Sequence, residues 1–177
     1  MLISCQMDPR FEDYHFYIKF NPDNPNEFVT TGPKRVGFWT WEEQASWFEF
    51  YSPGVSCGSK EFTQTVFIPN NTQAVSGTHD GYIVVWDISL IMDDFSQPEE
   101  RRNIKTVNLM NRYKSQKKTE GQSKKDDSPG ITILLIQDKY LVVGSSNGSI
   151  RFYDDQYRII SWFENIDISD ITSISFA

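Results

Sequence analysis

Cysteine, histidine and long apolar runs are scarce in this chain. Its 177 residues include two histidines and two cysteines, Cys5 and Cys57. Two cysteines cannot form the disulfide framework of a small secreted domain, and no Cys/His spacing typical of a zinc site is present. No run of about 18 apolar residues is available to span a membrane, and residues 1–5 lack the features of a signal peptide. We expect reduced thiols, no bound metal, no membrane association and a cytoplasmic location.

Motifs that bind nucleotides or calcium are missing as well. Residues 54–58 hold two glycines, but neither a flanking strand nor the Lys-Ser/Thr ending of a phosphate-binding loop accompanies them. The acidic pairs at 93–94 and 126–127 stand outside the spaced pattern of a calcium loop that ends in Glu. The sequence therefore predicts a protein without a cofactor and without catalysis.

Aromatic residues, in contrast, are abundant, with 13 Phe, 8 Tyr and 5 Trp. Aromatic and β-branched enrichment favours strands. The most informative stretch is 77–87, Gly-Thr-His-Asp-Gly-Tyr-Ile-Val-Val-Trp-Asp, in which a turn at Asp80-Gly81 leads into an apolar strand that ends at Trp86-Asp87. This is typical of the last part of a WD repeat, the unit of a β-propeller blade.

The pattern occurs three times. A glycine is followed nine residues later by an aromatic residue and then by an acid, at Gly32 with Trp41 and Glu42, Gly77 with Trp86 and Asp87, and Gly144 with Tyr153 and Asp154. The first spacing between glycines, about 45 residues, is ordinary for WD repeats, and the second is about 22 residues longer. A basic loop accounts for the excess.

The sequence therefore predicts an all-β fold, a WD-repeat β-propeller fragment of about three four-stranded blades plus the first strand of a fourth. The predicted units are an N-terminal lead-in 1–13, WD blades 14–54, 63–110 and 131–164, a basic flexible loop 111–130, and a first strand 170–177. Since a closed propeller typically has four to eight blades, we expect a longer protein, or another chain that covers the open edge. An independent three-blade sheet domain is the alternative.

In WD blades a Ser, an Asp and a Trp join one hydrogen-bond network, usually with a His from the preceding loop. Ser76, Asp80 and Trp86 fit three of these positions, and no His precedes the first strand of that blade. We interpret the set as structural, because buried polar groups need partners. Ser76 and Asp80 also lie close in sequence to His79, so a hydrolase is the alternative. All three belong to one hairpin and nothing supplies an oxyanion hole, so we predict no catalysis.

Charge is unevenly distributed over the chain. The net charge is −7, yet residues 101–125 hold nine Lys/Arg and a single acid. The predicted loop carries a lysine cluster: Lys114, Lys117, Lys118, Lys124 and Lys125. Such a cluster would attract an acidic partner, for example a tubulin tail, or nucleic acid. Nucleic acid is the weaker choice because Tyr113 is the only aromatic residue among these cations. The alternative is a solvated insertion without a binding role.

Several further segments resemble one family. They are 16–22 (FYIKFNP), 27–32 (EFVTTG), 41–44 (WEEQ), 48–53 (FEFYSP), 84–88 (VVWDI), 131–134 (ITIL), 148–154 (GSIRFYD) and 171–176 (ITSISF). From about residue 14 to the end, the basic loop excepted, the chain resembles the ciliary and flagellar WD-repeat proteins of the calmodulin- and radial-spoke-associated complex. The Phe-Asn-Pro and Trp-Glu-Glu-Gln pieces are more specific than the WD hairpins.

The resemblance implies a non-catalytic scaffold in the axoneme of the cilium or flagellum. Family members have tandem propellers and help to anchor the base of a radial spoke to the doublet microtubule, which supports motility. The implied partners are other proteins of the spoke and calmodulin-associated complex, and tubulin, directly or through them. The alternative is the echinoderm microtubule-associated-protein-like family of general microtubule-binding propellers, which segments 20–22, 30–32 and 38–41 also fit.

Overall fold

The computed structural model describes residues 13–55, 61–88, 101–109, 129–164 and 169–176, and these ranges contain strands and turns without any helix. Accordingly, they include no helix that could cross a membrane. Both cysteines, the two acidic pairs and the lysine cluster lie outside the described residues. The predicted all-β class is confirmed for the part of the chain that is described.

Within the described ranges, twelve strands form three four-stranded antiparallel sheets, each with its strands in chain order. Sheet 1 comprises β1 Tyr17–Phe20, β2 Glu27–Thr31, β3 Val36–Glu42 and β4 Trp47–Tyr51. Sheet 2 comprises β5 Phe62–Phe67, β6 Ala74–Thr78, β7 Tyr82–Ile88 and β8 Arg101–Asn108. Sheet 3 comprises β9 Ile131–Gln137, β10 Tyr140–Ser145, β11 Ile150–Tyr153 and β12 Ile159–Phe163.

The hairpins follow from local turn chemistry. The predicted turn at Asp80-Gly81 connects β6 to β7, and a turn at Asn147-Gly148 connects β10 to β11. Both glycines have a positive φ, 81° at Gly81 and 77° at Gly148. Only glycine adopts this conformation without steric cost. In β1–β2 the side chain of Asn21 accepts a hydrogen bond from the backbone N of Asp23, which closes the Asn-Pro-Asp turn.

Sheet 2 lies between sheets 1 and 3 and buries one face against each. The core between sheets 1 and 2 consists of Val29, Val36, Phe38, Phe62, Phe67, Ala74, Val84 and Trp86. The core between sheets 2 and 3 consists of Val66, Val75, Ile83, Val85, Leu109, Ile131, Leu134, Leu141, Val143 and Tyr153. Side chains alternate between the two faces of a strand, which is why Val84 and Val85 belong to different cores.

The three sheets share two ends. The lower end holds the β1–β2, β3–β4, β5–β6, β9–β10 and β11–β12 turns. Asn70 N in the β5–β6 turn donates to Asp23 Oδ2 in the β1–β2 turn. The upper end holds the β2–β3, β6–β7 and β10–β11 turns, where Phe62 N donates to Pro33 O over 3.0 Å.

The described residues on either side of the predicted basic loop lie at the upper end. On one side of it, Leu109 N donates to Gly81 O in the β6–β7 turn over 3.1 Å. On the other side, Gly130 O accepts a hydrogen bond from Ser146 N in the β10–β11 turn over 2.9 Å. Both anchor points of the segment between Leu109 and Pro129 therefore belong to the upper end.

Residues 171–176 are predicted as a strand, but they form no strand with any segment within the described ranges. A strand needs a hydrogen-bonded neighbour, and no such neighbour is described for this segment. The segment still touches sheet 3: Ile171 is buried and its backbone N donates to Ser145 O over 3.3 Å. That the segment begins a further sheet stays a prediction.

Candidate functional site

A chain of hydrogen bonds crosses the interface between sheets 1 and 2. Trp86 Nε1 donates to Ser76 Oγ over 2.8 Å, and Ser76 Oγ lies 2.7 Å from Thr65 Oγ1. Thr31 of sheet 1 donates its hydroxyl to the same Thr65 oxygen over 2.8 Å. All four residues have 0% exposure. Each buried polar group thereby finds a partner, so the predicted residues Ser76 and Trp86 hold two sheets together.

Asp80, the third predicted member, lies in the β6–β7 turn. The Thr78 hydroxyl donates to Asp80 Oδ1, and Tyr82 N donates back to that Thr78 oxygen over 3.0 Å. These bonds close the turn that precedes the Trp86 strand. His79 is exposed in the same turn, and no hydrogen bond between its ring and Ser76 is described. A catalytic Ser–His pair is therefore not assembled in this structure.

Sheet 1 has a similar hydroxyl–indole pair on its outer face, which is the face turned away from sheet 2. Trp39 Nε1 donates to Thr30 Oγ1 over 2.8 Å, and His15 Nδ1 lies 2.5 Å from the same oxygen. Trp39 pairs with Phe28 as Trp86 pairs with Ala74, so Trp39 is the structural counterpart of Trp86. The glycine spacing selects Trp41 instead of Trp39 for two reasons. Gly32 lies two residues after Thr30, whereas Gly77 lies one residue after Ser76. The Thr30–Trp39 separation is nine residues, whereas the Ser76–Trp86 separation is ten.

His15 supplies the kind of histidine that the network in sheet 2 lacks. It precedes β1 and reaches the outer face of sheet 1, where its Nε2 atom is buried without a hydrogen-bond partner among the described residues. Burial lowers the pKa of the His15 imidazole, Asp13 raises it, and Arg35 lowers it further. The neutral ring is therefore favoured in the folded chain.

A buried ion pair joins sheets 1 and 2 at the lower end. The Arg101 guanidinium of β8 pairs with the Glu27 carboxylate of β2, and their side chains are 5% and 7% exposed. Arg101 Nε also donates to Thr72 O over 3.0 Å, and Asn21 Nδ2 donates to Glu27 Oε2 over 2.6 Å. Burial lowers the Arg101 pKa to about 10. The remaining hydrogen bonds make this buried pair tolerable, since an unpaired buried charge is strongly destabilising.

Aromatic rings surround the same guanidinium. Its Cζ atom lies 5.4 Å from the Phe38 ring centroid and 5.2 Å from that of Phe67. A cation over an aromatic face is attracted by the ring quadrupole. Sequence reasoning missed this site, since Arg101 falls in a basic segment and Glu27 opens a strand 74 residues earlier.

The outer face of sheet 1, the face turned away from sheet 2, is a continuous aromatic surface. Phe28 stacks on Trp39 with ring centroids 5.6 Å apart, and the Phe50 ring lies 4.6 Å from Trp39. Its rim is open to solvent, with Phe16 52% and Phe20 60% exposed. Contiguous exposed apolar surface of this kind marks an interaction site.

The outer face of sheet 3 is apolar too, and residues 169–176 cover part of it. Phe152 contacts Phe163 and Phe176 with centroids 6.1 and 6.2 Å apart. A Cβ atom added at Gly144 would lie 2.8 Å from Ile171 Cγ2, just as one at Gly77 would lie 2.6 Å from Ile131 Cγ2. Ile171 therefore packs against sheet 3 in the same way as Ile131, the first residue of β9, packs against sheet 2.

Within the described ranges, no group of three or more His, Cys, Asp or Glu side chains converges as metal ligands would. The candidate site of this chain is therefore its set of polar and aromatic sheet faces. These are surfaces for binding and packing, and the hydroxyls of Thr30, Thr65 and Ser76 within them are already hydrogen-bonded.

Comparison with known proteins places the chain in a family. The family model described as the CFAP251 N-terminal domain matches residues 1–177. A Cilia- and flagella-associated protein 251 from Tetrahymena thermophila is 54% identical over 176 residues, covering 99% of this chain and 17% of the relative. The protein of the same name from Chlamydomonas reinhardtii is 33% identical over 173 residues, covering 93% and 19%.

A more distant relative of the same name, from Mus musculus, is 25% identical over 180 residues, covering 98% of this chain and 13% of the relative. The chain thus spans less than a fifth of the length of these curated relatives.

Proposed function

The chain belongs to the CFAP251 N-terminal domain family, and from that premise we propose that it is a non-catalytic scaffold of the axoneme that anchors a radial-spoke base to the doublet microtubule. The single observation that carries the proposal is the family match over residues 1–177. The relatives are named as cilia- and flagella-associated, so a ciliary or flagellar role is established at that level. Anchoring of the spoke, and through it support of motility, is the finer proposal.

The architecture proposed for this role is a WD-type β-propeller of which the three sheets are consecutive blades. Sheets with strands in chain order, stacked face to face, are what successive blades require. The equivalent contacts of Ile131 with Gly77 and of Ile171 with Gly144 support a further blade that begins at Ile171.

The outer face of sheet 1 supports the same proposal. In sheet 2 the Trp86–Ser76 pair faces the preceding sheet, and in sheet 1 the equivalent Trp39–Thr30 pair faces outward. A preceding blade in a closed ring would cover that face. The aromatic surface would then be an internal packing surface, and the blade rims and turns would remain for partners.

Absence of catalysis is part of the proposal, and the position of Ser76 favours it. Its hydroxyl is bonded to Trp86 and Thr65 and has 0% exposure. A nucleophile must reach its substrate, and this one is enclosed between two sheets. Hydrolytic turnover by the full-length protein that disappears in Ser76→Ala would contradict the proposal.

Affinity purification of the tagged full-length protein from ciliated cells, with mass spectrometry of the co-eluting proteins, tests the function. We expect proteins of the radial-spoke base and the calmodulin-associated complex to co-elute from axonemes. Recovery of tubulin alone, from cells with or without cilia, would favour general microtubule binding of the echinoderm microtubule-associated-protein-like kind and contradict the spoke-specific role.

The basic segment is proposed to contribute contacts to an acidic partner such as tubulin. Its five clustered lysines stand in a chain whose other residues are mainly acidic. Deletion of residues 111–128 should weaken microtubule binding, and the loss should be larger at low ionic strength because salt screens exposed charges. Equal binding with and without the segment would remove this part of the proposal.

A further inference from the structure

A cleft opens at the lower end between sheets 2 and 3, where the β5–β6 turn faces the β9–β10 and β11–β12 turns. Its volume is about 180 Å³. The apolar part of its lining comes from Ile68, Ile136 and Leu141, whereas Asp138 and Asp155 stand among the polar residues that line it. The cleft therefore combines an apolar wall with carboxylates.

The walls of this cleft are fixed by hydrogen bonds. Asp154 Oδ1 accepts hydrogen bonds from Gln156 N over 3.0 Å and from Arg158 N over 2.8 Å, which closes the β11–β12 turn. The Tyr157 hydroxyl donates to Gln73 Oε1 over 3.3 Å and so joins this turn to the β5–β6 turn. Tyr157 has a φ of 61°, an unfavourable conformation for a bulky side chain that the surrounding bonds maintain.

Two carboxylates of the lining have no ion-pair partner among the described residues. Asp138 and Asp155 are exposed, and no hydrogen bond or ion pair of their side chains occurs in the described part of the chain. The lysine beside them, Lys139, has its Nζ atom 5.5 Å from the Tyr140 ring centroid. Asp154 differs, because Arg158 Nη2 lies 2.7 Å from its Oδ2 atom.

The whole lower end is acidic. Its described carboxylates, apart from the paired Glu27, are Asp23, Glu42, Glu43, Asp87, Asp138, Asp154 and Asp155. Its described cations, apart from the paired Arg101, are Arg102, Lys105, Lys139 and Arg158, and the Lys105 Nζ atom lies 5.4 Å from the ring centroid of Tyr157 in the cleft lining. The resulting field repels an acidic tail and attracts a basic one.

We propose that this cleft binds a lysine or arginine side chain from a basic segment of a partner protein. The aliphatic stem packs on Ile68, Ile136 and Leu141, and the cationic head reaches Asp138 and Asp155. A long side chain that buries its methylenes and leaves its charge at the surface suits a cleft with this division of lining. The site is distinct from the basic segment, whose flanking residues Leu109 and Gly130 lie at the opposite end. It does not depend on closure of a propeller ring.

Binding of two labelled peptides by the full-length protein tests the proposal in fluorescence anisotropy. One peptide is hexalysine. The other is a hexamer of diaminopropionic acid, which has the same number of side-chain amines on much shorter stems. We expect hexalysine to bind more tightly, because only its stems reach the apolar wall. The double variant Asp138→Asn/Asp155→Asn should bind hexalysine roughly 3- to 10-fold more weakly than the parent.

The matched control is Glu42→Gln/Glu43→Gln, which removes the same charge from the same end but lies in sheet 1. We expect its affinity for hexalysine to remain within about twofold of the parent, since exposed charges beyond a Debye length are largely screened. Asn tolerates the positive φ of Asp138, and an unchanged melting temperature confirms folding. Equal weakening by both double variants, equal affinity for both peptides, or no binding of hexalysine would each overturn the proposal.

Discussion

The two interfaces between the sheets are built from different chemistry. Between sheets 1 and 2 lie a buried ion pair, Arg101–Glu27, the hydrogen-bonded chain that begins at Trp86, and large aromatic rings. Between sheets 2 and 3 the core is mainly Val, Ile and Leu, and a Cβ atom added at Gly77 would lie 2.6 Å from Ile131 Cγ2. The first interface is the more directional of the two, although hydrogen bonds from Leu134 N to Gln64 Oε1 and from the Tyr157 hydroxyl to Gln73 Oε1 also cross the second.

This difference matters because the two kinds of interaction fix different properties. Aliphatic burial contributes roughly 1.5–3 kcal/mol for each fully buried large side chain, without regard to orientation. Hydrogen bonds and ion pairs need particular partners at particular distances, so they penalise any shift of one sheet along the other. We infer that the polar interface determines how sheets 1 and 2 align, and that the aliphatic interface supplies mainly cohesion.

The largest effect is expected from Glu27→Gln, which leaves the Arg101 guanidinium buried without its counter-ion. Removal of one partner of a buried ion pair costs about 3–5 kcal/mol. The change in the free energy of unfolding in urea measures this. Glu43→Gln, in the exposed β3–β4 turn, is the control, and equal effects of the two variants would contradict the role of the pair.

The aliphatic interface is tested by Leu134→Ala. Leu134 is 2% exposed in the core between sheets 2 and 3, so a cavity should lower the free energy of unfolding by about 2–5 kcal/mol. Ile160→Ala is a control at a position that is 53% exposed. If the loss for Leu134→Ala does not exceed that for Ile160→Ala, the aliphatic core is not what holds sheet 3 to sheet 2.

A smaller effect is expected from Ser76→Ala. The substitution leaves the Trp86 N–H and the Thr65 hydroxyl without one partner each, and an unsatisfied buried polar group costs about 1–3 kcal/mol. The stability of this variant in urea should therefore fall between that of Leu134→Ala and that of Ser173→Ala, which changes an exposed serine. A Ser76→Ala protein as stable as the Ser173→Ala protein would show that the hydrogen-bonded chain adds nothing to the interface.

The smallest expected effect is a pH dependence that arises from His15. Burial lowers the pKa of His15 below its ordinary value of 6.5, so the unfolded chain binds a proton more readily than the folded one. Stability should therefore be fully present above about pH 6.5 and fall as the pH drops below it. Melting temperatures between pH 7.5 and 5 should show a shallower decline in His15→Gln. Parallel curves for variant and parent would exclude His15 as the cause.

Much of the fold could be read from local signals. Aromatic and β-branched runs predicted the strands of all three sheets, and the pair Asp80-Gly81 predicted the β6–β7 turn. The pair Ser76 and Trp86 could be named because a recurring hairpin pattern puts them on neighbouring strands. Strand and turn propensities act over a few residues, which is why the sequence is informative at this scale.

The remaining features depend on which faces meet. Sequence spacing selected Trp41, whereas in the structure Trp39 donates to Thr30. The glycine that begins the pattern is offset by one residue in sheet 1, and the β2–β3 hairpin is one residue shorter than the β6–β7 hairpin between equivalent positions. Nothing local distinguishes Arg101 from the cations that follow it, yet it alone among the described residues forms a buried pair with Glu27.

Residues close together in the chain were enough to predict the β class, the three four-stranded units, the strand that carries Trp86, and the resemblance to ciliary proteins. Three features emerged from the packing of the sheets alone: sheet 2 lies between the others, one interface is polar and the other aliphatic, and a carboxylate-lined cleft opens at the lower end. The physical reason is that burial and ion pairing are properties of surfaces in contact, and the contacting residues here are separated by as many as 74 to 84 positions in the chain.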